Sequence, residues 1–135
     1  MTEETLVYVG TYTHDFAQGM RGKSEGIYVY CLDPSSGAFE FRSKAIGVEN
    51  PSFLAIDPQG HNLFAVNEVG EFEGKPSGTV SSFSIDLHTG QLTYLNKQSS
   101  LGAVPCHLSV DKRGGFVLVA NYGGGSVSVL PILEG

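Results

Sequence analysis

Apolar residues occur along this chain in short bursts separated by turn-forming residues. Leu6-Val-Tyr-Val9, Gly26-Ile-Tyr-Val-Tyr30, Phe53-Leu-Ala-Ile56, Leu63-Phe-Ala-Val66 and Phe116-Val-Leu-Val-Ala120 are rich in β-branched and aromatic side chains and are bounded by Gly, Pro, Asn and Asp. Helical spacing is nearly absent, so the pattern predicts an all-β chain. Several runs are apolar at both alternating positions, which predicts sheets covered on both faces.

A repeat fixes how those strands are grouped. Residues 50–67 align without a gap with residues 104–121, Pro51 falling on Pro105 at an offset of 54, with Pro, Leu, Asp, Gly and Asn recurring. Residues 27–37 align with 80–90 at an offset of 53, matching Asp33 to Asp86 and Gly37 to Gly90. Each unit of about 53 residues reads as four strands, here 51–57, 62–68, 78–86 and 91–98, designated A to D. Four antiparallel strands in a repeat of about 40–50 residues are the signature of a β-propeller blade.

In this frame the chain is one propeller domain over 1–135, with a partial blade at 5–46, a blade at 51–99 and a partial blade at 105–132. The first unit lacks strand A and the last lacks strand D, about two and a half blades. A closed propeller takes at least four, on the order of 160 residues. The expectation is therefore the N-terminal part of a longer, closed propeller, inactive by itself and prone to associate through open strand edges.

Composition narrows the function. Eighteen of 135 residues are Gly, nearly twice the usual ~7%, and they serve the many hairpins. The net charge is −6 and the eight Lys and Arg are scattered, which argues against nucleic acid, since a phosphate backbone needs a basic stripe. No apolar run approaches the ~20 residues of a membrane span. The acidic start, Met1-Thr-Glu-Glu-Thr5, resembles no targeting segment, and the expected address is cytoplasmic. Cys31 and Cys106 are expected to be reduced, and no metal site or cofactor is evident.

Tyr8-Val-Gly-Thr-Tyr-Thr13, Gly26-Ile-Tyr-Val-Tyr30, Asn50-Pro-Ser-Phe-Leu54, Ala65-Val-Asn-Glu68, Pro105-Cys-His107 and Ala120-Asn-Tyr-Gly-Gly124 together resemble the lactonase family of seven-bladed β-propellers. The resemblance covers nearly the whole chain in order. It implies hydrolysis of a sugar lactone, 6-phosphoglucono-1,5-lactone in the pentose phosphate pathway, and a protein about two and a half times longer. A related branch lactonises muconates. The family's later Arg-Gln and Pro-His-x-His motifs do not occur in this sequence. The rival class is a non-catalytic propeller that binds a protein or carbohydrate.

In a propeller the D-to-A and B-to-C connections share one face, which gathers Tyr12, Thr13, His14, Asn50, Asn67, Glu68, His107, Asn121 and Tyr122. Lactone hydrolysis needs a base, donors for the developing oxyanion and an acid for the leaving alkoxide. Glu68 and His107 are the candidate catalytic groups, and Asn67, Asn121, Tyr12 and Asn50 the candidate substrate contacts. Each has a plainer alternative. His107 takes the repeat position of Phe53 and can simply fill a packed site, Glu68 can open an exposed loop, and Asn67 and Asn121 can terminate strands. Cys106 and His107 are neighbours on a strand and point to opposite faces, so no thiol–imidazole pair is expected; Cys106 should pack where Ser52 does. Arg21, Lys23 and Lys75 are cations on loops, where solvation is their plain role.

Overall fold

The computed structural model describes residues 4–15 and 21–133; residues 16–20, within the loop that carries Arg21 and Lys23, and the chain ends lie outside it. All regular structure among the described residues is β. Ten strands form three antiparallel sheets. Sheet 1 contains β1 (Thr5–Val9), β2 (Gly26–Leu32) and β3 (Phe39–Ile46). Sheet 2 contains β4 (Leu54–Ile56), β5 (Asn62–Asn67), β6 (Thr79–Ile85) and β7 (Leu92–Ser99). Sheet 3 contains β8 (Pro105–Val110), β9 (Phe116–Asn121) and β10 (Ser126–Pro131). Neighbours in sequence are neighbours in each sheet, an up-and-down meander.

The repeat is visible down to its irregularities. In β2 the register shifts between Val29 and Tyr30, and in β6 between Ser82 and Phe83, the same repeat position. Such a bulge sharpens the local twist of the ladder. The hairpins match as well. Gly60 N–H donates to the Asp57 carbonyl and Gly114 N–H to the Asp111 carbonyl, while each Asp Oδ1 accepts the amides four and five residues on. Both glycines have φ above +70°, a conformation that a side chain would strain. The amides that close the turn hold the Asp111 carboxyl below the usual carboxylate range.

The sequence-based strand A over 51–57 is shorter in the structure, running only from Leu54 to Ile56. Asn50 has a φ of +40° and its carbonyl accepts the Ser52 amide at 2.8 Å, so a tight turn replaces the start of the strand. This turn recurs in the functional site.

Packing between the sheets follows from the two-faced strands. On β5, Leu63 and Ala65 face sheet 1 and join Ile27, Val48 and Phe83 in one core. Phe64 and Val66 point the other way, to Leu108, Val117 and Val119 of sheet 3, with Val80 beside them. Sheet 2 is thus sandwiched, as the apolar character of both its faces predicts, each fully buried Leu or Val contributing about 1.5–3 kcal/mol by leaving water. Close approach demands a small residue at Gly78, where an added Cβ would sit 2.2 Å from Pro105 Cδ. No helix among the described residues is long and apolar enough to cross a membrane.

Candidate functional site

Three connections converge at one end of the sheets: β1 to β2, β3 to β4 and β5 to β6. Asn50 ties them. Its Oδ1 accepts the backbone amides of Thr13 and His14 at 2.9 Å each, its own amide donates to Thr13 Oγ1 at 2.9 Å, and its Nδ2 donates to the Glu68 carbonyl at 3.2 Å. The residue is 2% exposed. A left-handed Asn is tolerated here because its short amide bonds the surrounding backbone.

That arrangement sets Glu68 beside Tyr12 and Ser52. The Tyr12 hydroxyl donates to Glu68 Oε2 at 3.0 Å and Ser52 Oγ donates to Oε1 at 2.8 Å. Glu68 is only 6% exposed, and none of the ion pairs among the described residues involves it. A buried carboxylate compensated by hydroxyls rather than by a cation is uncommon, because burying charge is costly. Burial, and next the hydrogen bond to Glu68, push the Tyr12 phenol above its ordinary pKa, so it stays a donor at neutral pH.

Asn67, the residue before Glu68, uses its side chain differently. Its Nδ2 donates to the Glu49 carbonyl at 2.7 Å, and its Oδ1 accepts Thr79 Oγ1 at 2.8 Å and Ser81 Oγ at 2.6 Å. Asn121 occupies the same position one blade later, donating from Nδ2 to the Ser100 carbonyl and to Ser126 and Ser128 Oγ, while its Oδ1 is buried without a hydrogen-bond partner among the described residues. Both amides bracket strand B to strand C and to the preceding connection. At 3% and 1% exposed they are interior groups.

His107 is exposed on β8, its ring centroid 4.4 Å from that of Phe53 and tilted by 47°. The two rings meet across the junction of sheets 2 and 3, at matched positions of the repeat. Neither a hydrogen bond nor an ion pair joins His107 to Glu68 among the described residues. Tyr122 is 81% exposed. His14 accepts or donates at Nδ1 with Thr13 Oγ1 at 2.7 Å. Of the residues singled out from sequence, the structure therefore assembles Tyr12, Asn50 and Glu68 in one network, sets His107 against Phe53, and spends the Asn67 and Asn121 amides inside the sheets.

Sequence reasoning missed Ser52. The available signal was its repeat partner, Cys106, since both residues of the pair carry a nucleophilic atom at one register position. Both cysteines are free and partly buried. A cavity of about 710 Å³ opens elsewhere, between the end of β3 and the outer half of sheet 2, lined by His14, Glu49, Asn67, Tyr94 and Lys97 among others. Thr13 also lines it, whereas Glu68, Tyr12 and Ser52 do not. Among the described residues no group of three or more His, Cys, Asp and Glu is placed to hold a metal ion.

Comparison with known proteins gives this geometry its context. The family model for the seven-bladed β-propeller lactonases matches residues 6–135. The 6-phosphogluconolactonase of Bacillus subtilis is 39% identical over 127 residues, covering 94% of this chain and 33% of that protein. That of Formosa agariphila is 30% identical, over 95% of this chain and 34% of its own length. Among solved structures, the Pseudomonas aeruginosa periplasmic gluconolactonase superposes with a TM-score of 0.80 at 34% identity, covering 97% of this chain and 35% of that one. A Bacteroides fragilis protein described as a candidate 6-phosphogluconolactonase gives 0.83 at 36% identity, over 97% of this chain and 33% of its own. The chain spans about a third of the length of the relatives it matches. With the meandering sheets, the double-sided core and the family model agreeing over nearly every residue, the chain belongs to the seven-bladed β-propeller lactonase family.

Proposed function

We propose that this chain carries part of the active site of a lactone hydrolase, acting on 6-phosphoglucono-1,5-lactone to give 6-phosphogluconate. The observation that carries the proposal is Glu68, a buried carboxylate held by two hydroxyls at the end of the sheets where connections converge. Opening a lactone requires a proton to be removed from the attacking oxygen and one to be supplied to the ring oxygen that leaves. Glu68 is the group that takes and returns that proton. His107, exposed and packed at a tilt against Phe53, is the candidate contact for a sugar lactone, a reading its exposure supports. Tyr12 fixes Glu68, and Asn50 fixes the connections on which both stand. Asn67 and Asn121 belong to the frame that holds Glu68 and Tyr122 at the ends of their strands.

The substrate class rests on the relatives, which are named for 6-phosphogluconolactone and, in the periplasmic case, for gluconolactone. A cytoplasmic address belongs to the same proposal, supported by two cysteines left unpaired, as in a reducing compartment. The test is to assay the complete product of the gene on 6-phosphogluconolactone and on unphosphorylated gluconolactone, monitoring acid release. Hydrolysis of the phosphorylated lactone is expected to be the faster. Preference for the neutral lactone would move the substrate assignment, and turnover of neither would favour a binding propeller.

A further inference from the structure

Glu68 has an unusual feature for a base that activates water directly: both of its oxygens already receive protein hydroxyls, and almost none of it reaches solvent. The hydroxyl on Oε1 belongs to Ser52, which is itself only partly buried. An adjacent base within about 2.6–3.2 Å, itself oriented by a third group, is the geometry that activates a serine as a nucleophile. Ser52, Glu68 and Tyr12 meet it at 2.8 and 3.0 Å.

Two further observations support Ser52. Its backbone is held by a tight turn, with the Ser52 amide bonded to the carbonyl of left-handed Asn50 and the intervening Pro51 fully buried. Val104, the repeat equivalent of Asn50, is also left-handed at φ +55°, so both units present this register position from the same kind of backbone. The equivalent residue one repeat later is Cys106, so the register position keeps a nucleophilic atom when its neighbour changes from Phe53 to His107.

We propose that Ser52 is a covalent nucleophile, with Glu68 as its base and Tyr12 as the positioning residue for Glu68. The proposal rests on the lactonase assignment above. Ser52 Oγ bonds to the lactone carbonyl carbon while its proton passes to Glu68. The carbonyl-to-ring-oxygen bond then breaks, and the ring oxygen leaves as a hydroxyl with the proton returned by Glu68. The product of this half-reaction is an ester between Ser52 and the sugar acid. Water adds to that ester, giving its proton to Glu68, and the Ser52 oxygen departs and recovers it. One lactone and one water yield one hydroxy acid, with no redox change.

The experiment uses the complete gene product, rapidly mixed with the lactone and quenched in acid, then analysed by intact-protein and peptide mass spectrometry. A mass gain of one lactone on the peptide containing Ser52 is expected. Ser52→Ala should lose this adduct and at least about 1000-fold in kcat, as when a nucleophile is removed. Ser52→Cys should restore a covalent adduct, as a thioester, which a purely structural hydroxyl would not do. Circular dichroism of both variants guards against misfolding. Turnover by the wild type with no adduct, and with Ser52→Ala keeping more than about a tenth of the rate, would overturn the Ser52 proposal alone. Absence of turnover in the folded wild type would instead overturn the lactonase assignment, and Ser52's role with it.

Discussion

Glu68 was identifiable in the sequence as an acid at the end of strand B, but its environment was not. An exposed loop acid was the plain alternative, and the structure buries it instead, because the Asn50 turn brings Ser52 under one oxygen and the first connection brings Tyr12 to the other. Contacts between residues 56 apart in sequence have no local signature. The Tyr12 bond gives a residue-scale prediction. Tyr12→Phe leaves the ring in place and removes one hydrogen bond to a carboxylate, worth about 1.5 kcal/mol. Catalysis should fall roughly 10-fold in kcat with KM nearly unchanged, as measured by initial rates across lactone concentrations. A rise in KM at constant kcat would make Tyr12 a substrate contact instead of a support for Glu68.

At the scale of elements the sequence was far more informative. The 53-residue repeat located all ten strands of the described residues, because hairpin chemistry is local: Asp57 and Gly60, or Asp111 and Gly114, close the same turn with the same bonds. What it misjudged was strand A of the middle unit, where the Ser52 amide turns back to the Asn50 carbonyl and the ladder begins only at Leu54. The Asn residues that end strand B were legible as strand terminators. Their amides prove to be brackets linking three segments, which explains why Asn recurs there. Asn67→Ala should therefore destabilise, stranding the Glu49 carbonyl and the Thr79 and Ser81 hydroxyls in the interior. The expected cost is about 2–4 kcal/mol, read from urea unfolding midpoints. Replacing the exposed Asn96 by Ala should cost less than about 0.5 kcal/mol by the same measurement.

For the whole molecule, the sheets, the two-sided core and the family model describe one architecture, of which this chain covers about a third of its relatives' length. Apolar residues on the far face of sheet 3, Phe116, Leu118, Val127 and Val129, are between 38% and 73% exposed. Leu118 and Val127 correspond in the repeat to Phe64 and Val80 of sheet 2, which are buried against sheet 3. In the proposed function Glu68, on the end where the connections meet, transfers the proton. The most direct test is the rate of 6-phosphogluconolactone hydrolysis by the complete gene product, in a pH-stat at neutral pH, compared with its Glu68→Gln variant. That substitution preserves size and most hydrogen bonding but cannot accept the proton. A fall in kcat of about 100-fold or more, with the fold intact by circular dichroism, is the predicted result. Equal rates in the two proteins would contradict it.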